Sequence, residues 1–299
     1  MLKKNLKAIL TVEIQKILRS LSISEHPVGL GGCKSHSTTF ECCEYNITVF
    51  DNQNTKPRIV EAGGSILKIQ HGSLAETNPD ILQKFEGMTV VLDEKWDLGM
   101  MLSGIEEKKD KIRRSCIKGC LIDAALCATK AKQNPHEQFA PAWVKCAAYF
   151  IADALVLHNK KQRSPTHMLE FIRRSKKSKA NEFSIVAEAM GLERATPSLL
   201  ERMAKSTIGF SDMTEGAGCS GIIRKKYEFL TANSLLTDCY FYLGYVNRDN
   251  FTLIRDSLHK KGDLVHVLKT ALDFEHDSTK IEAQANALHR LSNELACSI

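Results

Sequence analysis

Two stretches decide how this chain is read: Val28-Gly29-Leu30-Gly31-Gly32 and, after a polar gap, Cys43-Glu44-Tyr45-Asn46-Ile47-Thr48-Val49-Phe50. The first is a short apolar strand ending in a glycine pair. The second alternates polar and apolar residues. Side chains in a strand point to opposite faces in turn, so Glu44, Asn46 and Thr48 share one face and Tyr45, Ile47 and Val49 the other. A small-residue turn beside two oxygen-bearing side chains suits Mg²⁺, which takes a few oxygen ligands from protein and shares the rest with phosphates. One of the two is an amide. Asn46 keeps an oxygen but removes a full negative charge from a site that must attract a dication. The plainer reading of the same residues is an amphipathic strand with a wet face.

The neighbouring sequence extends this pair into a mixed domain. Asp51-Asn52-Gln53-Asn54 reads as a turn, and Arg58 to Ala62 and Ser65 to His71 alternate as a hairpin around Gly63-Gly64. Asn78 as N-cap and Pro79 at the first helical position start a helix through Phe85, and Met88 to Asp93 forms a short apolar strand. Ahead of the glycine turn, Leu6, Leu10, Ile14, Ile17, Leu18 and Leu21 mark the apolar side of a first helix. That segment has neither the uninterrupted apolar core nor the cleavage site of a secretory signal.

This order of elements, with Gly31-Gly32 and Glu44-Tyr45-Asn46, resembles the nucleotidyltransferase superfamily of the DNA polymerase beta type. The family pattern is a hydrophobic residue, Gly, then Gly or Ser, a short gap, and acid–hydrophobic–acid–hydrophobic. Gly31, Gly32 and Glu44 match it; Asn46 departs from it. The resemblance implies that Gly31 and Gly32 cradle a nucleoside triphosphate, with Lys34 and Ser35 beside the phosphates. It implies that Glu44, Asn46 and a third acid from a following strand, Glu61, hold Mg²⁺. The activity implied is transfer of a nucleoside monophosphate to a hydroxyl with release of pyrophosphate. The acceptor, whether a small molecule, a protein side chain or an RNA end, is left open. Asn46 supports the alternative, a catalytically inactive module of the same fold that binds a nucleotide or a macromolecule. A third reading is a helical scaffold whose likeness to the family is accidental.

The chain has 299 residues, 43% hydrophobic and 25% charged, with a formal net charge of +6. That is ordinary for a globular protein and long enough for one large or two moderate domains. From Leu98 onward the apolar period lengthens from two to about 3.6 residues. Helices are predicted over 98–132, Pro141 to Leu157, Ser164 to Arg174 with Ser164 as N-cap, Asn181 to Met190 stopped by Gly191, and from Thr196-Pro197. Ser206 to Gly221 reads as a glycine-rich connector, without the Gly-Lys-Ser/Thr ending of a phosphate loop. Further helices follow over Ile222 to Leu243, Arg248 to Lys261, Leu264 to Asp273 and Lys280 to Ala296, the last with a Thr279–Glu282 capping box. The expected fold class is therefore α+β. An N-terminal mixed-sheet domain (1–97) precedes a helical bundle (98–205), the connector (206–221) and a C-terminal helical region (222–299).

Ten scattered cysteines without a Cys-x-x-Cys pair predict reduced thiols, a cytoplasmic location and no structural zinc. Cys116, Cys120 and Cys127 fall at helical spacing as small buried hydrophobes, and the adjacent Cys42 and Cys43 should face opposite ways. No apolar run reads as a membrane span. The cations Arg173, Arg174, Lys176, Lys177 and Lys179 complement a helix C-terminus, or contact phosphates of a nucleotide or nucleic acid. No aromatic residues interleave them for base stacking.

Overall fold

The computed structural model describes residues 18, 23, 25–35, 39–62, 64–174, 180–214, 219–260 and 262–299. It is α+β, with a five-stranded mixed sheet near the N-terminus and a helical remainder. The chain divides into two compact units, Met1–Ile112 and Arg113–Ile299. The division falls later than the predicted 97/98 boundary, inside one long helix.

In the first unit, β1 (Val28–Gly31), β2 (Tyr45–Val49), β3 (Arg58–Ala62), β4 (Ser65–His71) and β5 (Thr89–Leu92) form a sheet in the order β3-β4-β2-β1-β5. The β2–β4 pair is parallel and the others antiparallel. The predicted hairpin is present, with Ala62 opposite Ser65 and Gly64 at φ +76°. Asn78 caps α1 (Pro79–Phe85) as its sequence suggested, its side chain accepting the Asp80 amide hydrogen at 2.9 Å. One face of the sheet carries Val28, Leu30, Ile47, Val49, Leu67 and Ile69 into a core that Leu18 and Val91 complete. The predicted first helix otherwise lies outside the described residues. On the other face Phe85 meets Phe50 edge-on at 5.3 Å, and Met88 lies so close to β1 that a Cβ on Gly29 would come 2.1 Å from its sulfur.

Helix α2 (Asp97–Gln133) contains the division between the units. The second unit then holds α3 (Ala140–His158), α4 (Met168–Arg173), α5 (Ala180–Met190), α6 (Pro197–Thr214), α7 (Cys219–Ala232), α8 (Leu236–Ile254), α9 (Leu264–Ala271) and α10 (Ser278–Cys297). Helices α5, α8 and α10 pack around α3, and α7, α8 and α9 around α6. At Gly244 of α8 a Cβ would fall 1.8 Å from the Tyr149 hydroxyl of α3, so the two helices approach across a glycine.

The glycine-rich connector is largely helix: α6 runs through Thr214 and α7 begins at Cys219, leaving 215–218 outside the described residues. Buried Leu200, Met203, Ala204, Thr207 and Phe210 set a helical period that outweighs the roughly 1 kcal/mol cost of Gly209 in a helix. The single helix expected over Ile222 to Leu243 breaks at Ser234, which has φ +58°. Ser164 does not cap a helix; its carbonyl accepts the His167 amide hydrogen in a turn, and α4 starts at Met168. Asp277, not Thr279, is the N-cap of α10. Cys42 and Cys43 both precede β2 and both are buried, while Cys116, Cys120 and Cys127 are buried as expected. Finally, α3 is long and apolar enough to cross a membrane by length and composition, contrary to the sequence reading, but 94% of that stretch is buried within the protein.

Candidate functional site

At the end of β1 the chain turns at Gly32, φ +70°, into a single 3-10 turn, Cys33–Ser35. The Gly32 carbonyl accepts both the Ser35 amide hydrogen at 3.1 Å and the Ser35 hydroxyl at 2.8 Å. Antiparallel pairing sets Gly31 opposite Asn46. The backbone angle at Gly32 calls for glycine, and a Cβ there would lie 2.6 Å from Asn46 Nδ2, so any side chain would also displace the Asn46 amide. Asn46 Nδ2 in turn donates to Glu44 Oε1 over 3.4 Å. Gly31, Gly32, Glu44 and Asn46 are thus gathered as the alternation predicted.

The row through Asn46 decides the charge of this face. It runs Gly31–Asn46–Lys68–Ile59 across β1, β2, β4 and β3. Residues in register on adjacent strands share a face, so the neighbour of Asn46 on β4 is the cation Lys68. One row along, Gln70 Nε2 donates to the hydroxyl of Thr48, which is buried rather than wet. Glu61 is exposed on the edge strand β3, opposite the buried Ile66. It lies two strands from β2, roughly 10 Å at ordinary strand spacing. The structure therefore joins Glu44 and Asn46 to the glycine turn and places β4 between them and Glu61.

Lys34 is directed elsewhere. Its ammonium donates to the Phe40 carbonyl at 3.3 Å and stands 5.3 Å from the centre of the Tyr45 ring. Tyr45 packs against the core cluster, on the opposite face of β2 from Asn46. On the Asn46 side, Met88 lies over the β1 glycines and also lines a cleft of about 270 Å³ with Phe85, Leu102, Ile105 and Glu106.

The basic cluster is partly spoken for. Arg173 pairs with Asp238 of α8 at 2.6 Å and so ties α4 to α8, whereas Arg174 pairs with Glu170 at 2.7 Å, one turn back along the same segment. Lys176, Lys177 and Lys179 lie outside the described residues.

Three polar groupings were missed in the sequence. At the far end of β2, Asp51 Oδ2 lies 2.8 Å from His71 Nδ1. Burial opposes ionisation of Asp51, but the Gln53 amide and His71 outweigh it and hold the carboxyl below its ordinary range. In the second unit, buried Asp153 accepts from the Tyr245 hydroxyl at 3.0 Å and from Arg248 at 3.0 Å. The Arg248 guanidinium lies over the rings of Tyr245 and Phe150 at 4.1 and 4.6 Å. Lys145, also buried, donates to the Met190 carbonyl and to the Tyr240 hydroxyl. The available signal was Lys145 and Asp153 standing among the apolar residues of Ala140–His158.

The face beside the glycine turn carries Glu44, Asn46 and Lys68, with Glu61 on the same face one strand further out, so its carboxylates are separated and one is offset by a cation. Such a site can meet phosphate oxygens through Lys68, but it offers little of the negative charge that concentrates two dications. No protein-family model matches the chain, and no protein of curated function matches it.

Proposed function

We propose that the N-terminal unit is a nucleotidyltransferase-like module that binds a nucleoside triphosphate at the Gly31-Gly32 turn and does not transfer the nucleotide efficiently. The observation that carries this reading is the register of Lys68 beside Asn46. Where two-metal chemistry wants carboxylates, the face of β2 and β4 offers an amide and a cation. Lys68 supplies charge for a phosphate that Mg²⁺ would otherwise neutralise, and Glu44 remains as one ligand for a metal arriving with the nucleotide. The glycine turn gives phosphate oxygens room to approach the backbone.

The test is calorimetric titration of the protein with ATP, CTP, GTP and UTP, with and without Mg²⁺, alongside an assay for pyrophosphate. Binding that survives removal of Mg²⁺, with no pyrophosphate released, is expected. Lys68→Met should then weaken binding about tenfold or more, the worth of one charge-assisted hydrogen bond at about 1.5–3 kcal/mol. Asn46→Asp should make binding depend on Mg²⁺. Pyrophosphate release that Glu44→Ala abolishes would instead establish an active transferase, and absence of binding to all four nucleotides would refute the nucleotide reading.

A further inference from the structure

Lys145 is 3% exposed, on the most buried helix of the second unit. Its ammonium donates to the Met190 carbonyl, the last residue of α5, and to the Tyr240 hydroxyl on α8 at 3.1 Å. The Tyr240 oxygen is also 2.9 Å from the Met190 carbonyl and 2.8 Å from Asp273 Oδ2, beyond the end of α9. Asp273 is already committed to Arg194, whose Nε stands 2.9 Å from the same Oδ2 and whose terminal nitrogen donates to the Asp273 carbonyl at 2.9 Å.

Among the described residues no carboxylate contacts the Lys145 ammonium directly; its acceptors are a carbonyl and a hydroxyl. Two cations, Lys145 and Arg194, share one close carboxylate, and that carboxylate contacts Arg194 directly and Lys145 only through a tyrosine hydroxyl. Among the described residues, Glu193, beside Arg194 after α5, and Glu275, after α9, also favour the charge of Lys145 electrostatically. Glu275 is itself paired with Lys280 at 2.8 Å. On α3 the titratable neighbours along the helix are Cys146 and Tyr149, both pushed upward by burial and so neutral. An arginine keeps its proton under all ordinary conditions, so the cation here that can lose its charge is the lysine.

We propose that the Lys145 cluster is a proton switch built into the helical unit, which is held more tightly when Lys145 is neutral than when it is charged. Loss of the proton removes a buried cation beside Arg194. It leaves an amine that still donates to the Met190 carbonyl, while Tyr240 keeps its hydrogen bond to Asp273. Four pieces of the unit meet there: α3, the end of α5 with the 3-10 turn Leu192–Arg194 that follows Gly191, α8 and the segment after α9. Their joint packing therefore responds to pH.

Burial, followed by the charge of Arg194, pushes Lys145 down to about 7, against an ordinary value of 10.5. Below about 7 both the folded and the unfolded chain carry the proton, and the penalty of the buried charge is fully present. Above it the folded unit has released a proton that the unfolded chain keeps, so stability rises with pH. The unfolding constant should fall by up to about tenfold per pH unit. Buried thiols end this window. Cys127 and Cys239 are each pushed up to about 12, mainly by burial, so the unfolded chain loses protons first once pH passes the ordinary thiol range.

The deciding measurement is NMR of the whole protein carrying ¹³C at lysine Cε, titrated from acid to alkaline pH. One lysine resonance with a midpoint near 7, absent from Lys145→Met, is expected. The unfolding constant of the unaltered protein should fall between about pH 7 and 8.5, and Lys145→Met should lose that slope. If Lys145→Met does not fold, the midpoint in the unaltered protein still decides. Lysine resonances that all titrate above about pH 9.5 in the folded protein would overturn the proposal.

Discussion

Replacing Gly32 by alanine probes the candidate site where backbone and side chain meet. Two separate costs are expected. Alanine at φ +70° occupies the left-handed region, worth about 1–2 kcal/mol. Its Cβ would also stand 2.6 Å from Asn46 Nδ2, and pushing a side chain out of such a contact costs about 1–3 kcal/mol. The two combined give about 2–5 kcal/mol for Gly32→Ala. Asn46→Ala removes the amide and leaves the Asn46 Cβ position 3.5 Å from the new methyl, an ordinary contact. In that background Gly32→Ala should cost only the backbone share, about 1–2 kcal/mol. The double-mutant cycle should therefore return a coupling of about 1–3 kcal/mol. Hydrogen exchange of the β1 and β2 amides reads this locally, without requiring the whole chain to unfold in one step. Additivity within about 0.5 kcal/mol would show that Asn46 does not stand over the turn, and the site described here would fail with it.

Two further perturbations test the helical unit. Gly244→Ala places a methyl 1.8 Å from the Tyr149 hydroxyl, and the strain should outweigh the gain of about 1 kcal/mol in helix propensity, lowering stability to urea. An increase in the urea midpoint would show that α3 and α8 do not cross at Gly244. Asp153→Leu should cost about 1–3 kcal/mol, because it leaves the buried Arg248 with the more exposed Asp249 alone, 2.9 Å away, and removes the acceptor of the Tyr245 hydroxyl. Adding Arg248→Met should recover part of that loss, and full additivity in urea unfolding would contradict direct pairing.

What the sequence disclosed depended on how local its cause was. Alternation placed Glu44 and Asn46 on one face because the rule needs only the strand itself, and Asn78-Pro79 marked α1 because a cap is a contact within three residues. The face of Lys68 was equally readable, but its position beside Asn46 was not, because a parallel β2–β4 register is fixed by packing elsewhere in the sheet. Glu61 looked suitable from residue type alone; strand order put β4 between it and β2. The glycines of 206–221 suggested a connector because flexibility was weighed without the partners. In the structure Asn247 donates to Thr207 at 2.7 Å and Asn250 to Ser211 at 2.7 Å, so polar residues of α6 are used by α8. Lys145 and Asp153 were visible as charges in an apolar helix, but their partners lie tens of residues away in the chain.

The glycine signature carries less functional information than its spacing suggests. Gly29 is demanded by Met88, and Gly32 by its own backbone angle and by Asn46. Both requirements hold whether or not a phosphate ever reaches the turn. A chain that had lost nucleotide binding would still be more stable with glycine at both positions, so their presence does not discriminate between the readings. Lys68 does. Lys68 stands in register with Asn46, diagonal to Glu61 on the same face, and polar neutral residues, Gln70 and Thr48, fill the next row. Its charge favours an anion at the same place where a second carboxylate would have favoured a dication. The discriminating experiment is therefore a charge reversal, Lys68→Glu together with Asn46→Asp. If the face was arranged for phosphate without metal, that pair should abolish nucleotide binding in the absence of Mg²⁺ and make binding depend on it, with the β1–β2 hydrogen exchange unchanged. Nucleotide binding indifferent to the reversal would place any ligand elsewhere and leave the glycine turn as architecture alone.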